Sequence, residues 1–116
     1  MRLSIFKSKI HRATVTDANL HYEGSITIDT NLMKMANLLP YEQVHVWDIT
    51  NGKRLITYVL EGEQNSGTIC INGAGAHLIH KDDMVIIASF AVLDQEEAKS
   101  FKPTIVIVDK NNRPIW

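Results

Sequence analysis

A mainly β protein, folded as a small closed barrel or sandwich with two or three short helices, is what this sequence predicts. Three features lead there. β-Branched and aromatic residues collect in short runs of period two, turn residues such as Asn51-Gly52 divide these runs, and helical periodicity never persists. Many short strands with so few helices suit a closed or two-layered β architecture.

The elements follow in order. Leu3–Phe6 and Ile10–Thr16 read as two strands, because Thr14, Val15 and Thr16 are β-branched and no helical period is present. Asp17-Ala18-Asn19 reads as a turn. Ser25–Asp29 alternates Ile26 and Ile28 with Thr27, as a half-buried strand does. Asp29 or Thr30 can cap a short helix to Leu38, with Leu32, Met35 and Ala36 on one face and Pro40 ending it. Gln43–Ile49 is a strand with Val44, Val46 and Asp48 on one face and His45, Trp47 and Ile49 on the other. Asn51-Gly52 signals a two-residue hairpin turn. The return strand, Lys53–Leu60, then carries Arg54, Ile56 and Tyr58 on one face.

Beyond it, residues 61–67 form a polar loop, Thr68–Ile71 a short strand, Asn72–Ala76 a small-residue loop and Ala76–His80 one helical turn. Met84–Phe90 is an apolar run of strand length, expected to be buried on both sides. Asp94 with Glu97 forms a capping box for a helix to Phe101. Thr104–Val108 is the last strand, and Asn111–Pro114 a frayed end.

Composition narrows the function classes. At 116 residues the chain suits a single domain, 1–116, large enough to bury a real core. A net charge of −1 without any block of like charge argues against a nucleic-acid surface or a polybasic membrane patch. No apolar run approaches a membrane span, and Lys7 and Lys9 interrupt any signal-peptide core. The sole cysteine, Cys70, has no internal disulfide partner, which fits a reducing cytoplasm.

One bond invites chemistry. In Tyr22-Glu23-Gly24-Ser25-Ile26-Thr27-Ile28-Asp29, a glycine carbonyl precedes a serine hydroxyl at the mouth of a strand. Attack by the Ser25 oxygen on the Gly24 carbonyl turns the peptide into an ester. Elimination then yields dehydroalanine, whose hydrolysis gives a pyruvoyl group. For an isolated Gly-Ser the plain reading is a turn before a strand.

Other residues read blandly by themselves. The histidines His11, His21, His45, His77 and His80 lack the convergent spacing of a zinc site, so no metal is expected. Asn72-Gly73-Ala74-Gly75-Ala76 matches neither a Walker loop nor a dinucleotide fingerprint. It is a tight loop or, functionally, a cradle of backbone N–H groups for a carboxylate. Arg54 and Lys9 are strand cations; Arg54 shares its face with Tyr58 and has the fork geometry that binds carboxylates in pairs. Cys70 reads as a small buried hydrophobe.

Taken together, Lys9–Thr16, Tyr22–Asp29, Asn51–Arg54, Thr57-Tyr58, Ile71–Ala76 and Asp94–Ala98 resemble the aspartate 1-decarboxylase family in order and spacing. The resemblance implies a six-stranded double-psi β-barrel and self-cleavage at Gly24-Ser25 into 1–24 (β chain) and 25–116 (α chain). Ser25 would become the covalent pyruvoyl cofactor, a Schiff-base former and electron sink that decarboxylates L-aspartate to β-alanine for pantothenate synthesis. It casts Tyr58 as proton donor and Thr57 as a donor to the oxyanion at Gly24 and a later substrate contact. Lys9, Arg54, Gly73, Ala74 and Gly75 would bind substrate, and His11, Tyr22, Trp47 and Asn72 line the site. Family members commonly have alanine at the Gly75 position. The resemblance further implies a cytoplasmic homotetramer with sites near subunit contacts, with or without a maturation factor. Three alternatives stay open: a pyruvoyl-dependent decarboxylase for another amino acid, an uncleaved small-barrel binding module, and an unactivated precursor or inactive paralogue.

Overall fold

A computed structural model describes residues 1–115 of the chain. Nine strands share one hydrogen-bonded order, β2-β6-β3-β5-β4-β7-β1-β8-β9, and the expectation of a mainly β fold holds. They are β1 (Arg2–Thr14), β2 (Asp17–Asn19), β3 (Ser25–Asp29), β4 (Gln43–Asp48), β5 (Arg54–Gly62), β6 (Ile69–Asn72), β7 (Met84–Asp94), β8 (Thr104–Val108) and β9 (Pro114–Ile115). Two short helices, α1 (Thr30–Met35) and α2 (Gln95–Ser100), and a 3₁₀ turn over Gly73–His77 complete the chain. The core is aliphatic: Ile10, Ile26, Ile28, Val44, Val46, Val59, Ile69, Ile71 and Ile87 are sealed from solvent. Among the described residues no helix is long and apolar enough to cross a membrane.

Several local expectations need correction. The two N-terminal strands are one, β1, because irregularities between Phe6 and Ser8 and between Ile10 and Ala13 absorb the break in alternation without ending the pairing to β7. Asp17–Asn19 is a short strand, since β6 offers it a parallel partner. The β4–β5 connection is a four-residue turn closed by the Asp48 N–H to Lys53 carbonyl bond (2.8 Å). Only Gly52 takes a positive φ there, 79°, whereas a two-residue turn of the Asn-Gly kind needs it at both positions. The Asp48 carboxylate caps this turn by accepting from the N–H groups of Thr50 and Asn51. Burial, and then the neighbouring Asp83 carboxylate, to which the protonated group can donate, push its pKa up to about 6. β7 is not buried on both faces: Val85 and Ile87 point inward, and Phe90 and Val92 outward. Residues 73–77 wind as the 3₁₀ turn instead of looping before a helical turn at 76–80.

The supposedly frayed end is anchored. Asn112 is buried, accepts from the Thr14 N–H (2.7 Å) and donates to the carbonyls of Thr14 and Gly67 (2.8 Å each). Other signals hold. Asp29 caps α1 through the Asn31 N–H, and also accepts from the N–H groups of Asn65 and Gly67, tying the polar loop to β3. Asp94 and Glu97 form the capping box of α2.

One topological feature positions the site. Along β5, residues 54–58 pair antiparallel with β4, whereas residues 59–62 pair parallel with β3. The β3-side edge of residues 54–58 is therefore left without a strand neighbour. The chain enters β3 at that gap, through Gly24 and Ser25.

Candidate functional site

A cavity of about 420 Å³ fills the gap. Gly24 and Ser25 form one wall, Leu55, Ile56, Thr57 and Tyr58 a second, and Ile71, Asn72, Ala74, Gly75 and Leu78 the third. Register explains the grouping. The β3–β5 pairing begins at Ile26 and Val59, so Ser25 and Tyr58, one residue before each, stand where the two strands part. Ser25 lies directly opposite Asn72 on antiparallel β6.

Ser25 is only 2% exposed and its hydroxyl is held from two sides. It donates to the Glu23 carbonyl (3.1 Å) and accepts from Asn72 Nδ2 (3.0 Å). A hydroxyl fixed in this way would lose little freedom in reacting with an adjacent group, which is how orientation lowers a barrier.

Gly24 itself is unconstrained: a β-carbon there would meet nothing within 4 Å. The glycine that packing demands is Gly73, with φ +72°. A β-carbon on it would fall 2.7 Å from both the Cα and N of Gly24 and 2.8 Å from the Tyr22 carbonyl oxygen. The backbone of residues 22–24 thus lies directly on Gly73. Gly73→Ala is expected to push that segment away and to lower the melting temperature by about 5–10 °C, from left-handed strain plus the clash. Thermal unfolding of the variant beside the parent checks this. At Gly75 a β-carbon would sit 3.0 Å from Leu55 Cδ2, a flexible tip, and 3.1 Å from Ile71 Cγ2, the branch methyl of a buried side chain, so an alanine fits only tightly.

The structure therefore gathers Gly24, Ser25, Thr57, Tyr58, Asn72, Ala74 and Gly75 around one space, with Gly73 beneath it. Thr57 and Tyr58 both line it, although alternation along a strand suggests opposite faces. Leu55, Ile56, Ile71 and Leu78 were not anticipated from the sequence; apolar strand residues carry no signal distinguishing a cavity wall from a core position.

The two cations do not join this group. Arg54 lies with its guanidinium 4.7 Å from the centre of the Trp47 ring, its partner across the β4–β5 pair. Lys9 pairs with Ala88 of β7, which pairs with His45 of β4, which pairs with Ile56 of β5. It therefore lies three strand spacings, about 14 Å, from β5, and is not beside Arg54 within one chain. His11 stands on the same strand as Lys9, with Nδ1 buried and unbonded. Burial first, then the charges of Lys9 and Arg12, lower its pKa. Tyr22 is 55% exposed at the cavity's rim segment. Among the described residues, no three His, Cys, Asp or Glu side chains converge as a metal cluster.

Comparison with known proteins matches this sequence to a family. The sequence model described as "Aspartate decarboxylase" matches residues 1–115. The chain is 58% identical to the aspartate 1-decarboxylase of Thermoanaerobacter pseudethanolicus, over 99% of this chain and 98% of that one. It is 58% identical to the enzyme of that name from Syntrophus aciditrophicus, over 97% of each chain. With its namesake from Myxococcus xanthus it shares 57% over 99% of this chain and 88% of the other.

Proposed function

The chain belongs to the aspartate decarboxylase family, and from that premise we propose how its residues remove carbon dioxide from L-aspartate. The enzyme is a carboxy-lyase that yields β-alanine, the step that serves pantothenate synthesis. The observation that carries the mechanism is the Ser25 hydroxyl, held by Asn72 and the Glu23 carbonyl and facing a substrate-sized cavity.

In our reading, Ser25 Oγ attacks the Gly24 carbonyl and the acyl group passes from nitrogen to oxygen, so the peptide bond becomes an ester. Elimination then releases residues 1–24 with a Gly24 carboxylate and leaves dehydroalanine at the head of 25–116, which takes up water and loses ammonia to become a pyruvoyl group. The surroundings fit such a group: open space borders Gly24, and Gly73 allows the 22–24 segment to lie close. Asn72 would hold the group at residue 25, with Thr57, Ala74 and Gly75 around it. A pyruvoyl group supplies an electron sink for the pair released as carbon dioxide departs. Thr57 donates a hydrogen bond to the oxyanion that develops at Gly24 during cleavage. Tyr58 delivers a proton from its hydroxyl to the carbon that lost the carboxylate. Ala74 and Gly75, with no bulky side chains, let the substrate approach backbone N–H groups.

Arg54 and Lys9 hold the carboxylate that stays. Since neither lines the cavity of its own chain, we read them as reaching the cavity of a neighbouring copy, in a homotetramer. The sheet face that carries Lys9 and Arg54 supports this, for Ile56, Phe90, Val92 and Ile105 are exposed on it at 57, 37, 58 and 52%. Apolar residues in such number mark surfaces that associate. The parallel pairings β1–β8, β2–β6 and β3–β5, set among antiparallel ones, support the finer fold reading, a six-stranded double-psi β-barrel. The free thiol of Cys70 is consistent with a cytoplasmic enzyme.

The test of substrate choice is carbon dioxide release from aspartate, glutamate, histidine and arginine. Aspartate is expected to be preferred, because a second carboxylate needs a cation where a basic side chain would need an acid. Arg54→Ala is expected to cost about 2–5 kcal/mol, roughly 30- to several-thousand-fold in rate. Arg54→Lys should rescue it poorly, having lost the fork. Co-assembly of Arg54→Ala with Tyr58→Phe should restore part of the activity, as some sites would then draw both intact residues from different copies. A preference for a basic amino acid, or full aspartate activity in Arg54→Ala, would overturn this reading.

A further inference from the structure

We infer that Cys70 and Thr27 are positioning residues for the self-cleavage step, acting through Asn72; this rests on reading Ser25 as the cleaving nucleophile. The antiparallel register of β3 and β6 sets Ser25 opposite Asn72 and Thr27 opposite Cys70. Side chains two residues apart on a strand share a face, so these four form one block. Ile26, Ile28, Ile69 and Ile71, which alternate with them, point the other way into the core.

Within the block every polar atom of the Asn72 amide is used. Its Nδ2 donates to Ser25 Oγ and to Thr27 Oγ1, each at 3.0 Å. Its Oδ1 accepts from the Cys70 thiol at 3.2 Å. The amide is 4% exposed, so water does not substitute readily for these partners. The orientation matters because the Ser25 proton already goes to the Glu23 carbonyl. Ser25 Oγ therefore needs a donor from Asn72. A flipped amide would set Oδ1 against it, acceptor facing acceptor.

The two neighbours decide between the orientations. A thiol placed at the far end of the amide has a proton to give and is a poor acceptor, so it selects oxygen there. Burial, and then the charge of Asp17, raise the Cys70 pKa and keep that proton in place. Thr27 takes the second Nδ2 proton, leaving the first for Ser25. Cys70 does no covalent chemistry in this scheme. It orients the amide, and the amide holds the oxygen that attacks Gly24.

The test is the cleavage rate of freshly made full-length chain, followed by intact mass, for the wild type, Cys70→Ala, Cys70→Ser, Thr27→Val and Thr27→Ser. Losing one neutral hydrogen bond corresponds to about 3- to 10-fold in rate. Cys70→Ala and Thr27→Val are expected to slow cleavage by that factor. Cys70→Ser and Thr27→Ser, which keep a donor and an acceptor respectively, should stay within about twofold of the wild type on the same scale. Melting temperatures measured in a Ser25→Ala background separate positioning from general weakening, for a structural role would track stability and not hydroxyl rescue. Equal slowing by Cys70→Ala and Cys70→Ser, or wild-type rates in all four, would overturn the inference while leaving the cleavage reading intact. A wild-type chain that never divides would overturn both.

Discussion

Ser25→Ala is expected to leave the chain in one piece, with no decarboxylase activity at all. The effect is all-or-none because, in the proposed scheme, the hydroxyl is at once the nucleophile for cleavage and the source of the reactive group. No neighbour substitutes for it: the other hydroxyl on the same strand face, Thr27, is two residues further along β3. The wild type should instead give a fragment ending at Gly24 and a second with a blocked N-terminus derived from Ser25. Intact-mass measurement after prolonged warming, with any maturation factor supplied, reads both. A wild-type chain that stays uncut would refute the scheme. Because Ser25 is buried at the start of β3, loss of its hydroxyl removes two hydrogen bonds but leaves the flanking pairings in place. The variant should therefore fold, and its inactivity should not reflect unfolding.

The second large effect separates maturation from turnover. Thr57→Val should slow cleavage by about 10²-fold or more, the usual consequence of removing an oxyanion donor. Tyr58→Phe should cleave normally and then lose about 10²- to 10⁴-fold in turnover, the range for a missing general acid. Both residues border the same cavity, so the division of labour rests on their atoms and not on separate compartments. A threonine carries its hydroxyl close to the backbone, and a tyrosine carries its own at the far end of a ring, so the proposed scheme gives the first to the backbone bond and the second to the substrate. The reverse pattern, an uncleaved Tyr58→Phe and a cleaved Thr57→Val, would contradict the assignment.

Much of this molecule was legible before any coordinates. Alternation identified β3 and β4 to within a residue, since a sheet with one buried face imposes a period of two on its sequence. The Asp94 cap was equally plain, and Asp29 was one of two candidates for the other, because a helix start needs an acceptor for its free N–H groups. Errors fell where a partner distant in sequence overrides local preference. Asp17–Asn19 has turn composition and became a strand only because β6 lies alongside. Asn112 resembles any loop asparagine until Thr14 and Gly67 appear around its amide.

The same division holds at the site. By itself the sequence determined the strand order of polarity, the Gly24-Ser25 pair at the mouth of β3, and the small residues of the 72–76 segment. Each is a property of neighbours along the chain. Tertiary structure alone decided that β5 changes partners after Tyr58, opening the cavity, and that Gly73 lies under the backbone of residues 22–24. It also decided that Arg54 stacks on Trp47 and that Lys9 stands three strands away, outside the cavity of its own chain. It set the Asn72 amide between Cys70, Thr27 and Ser25. These arrangements depend on register between strands far apart in sequence, and register is a contest among whole hydrophobic faces that no single segment records.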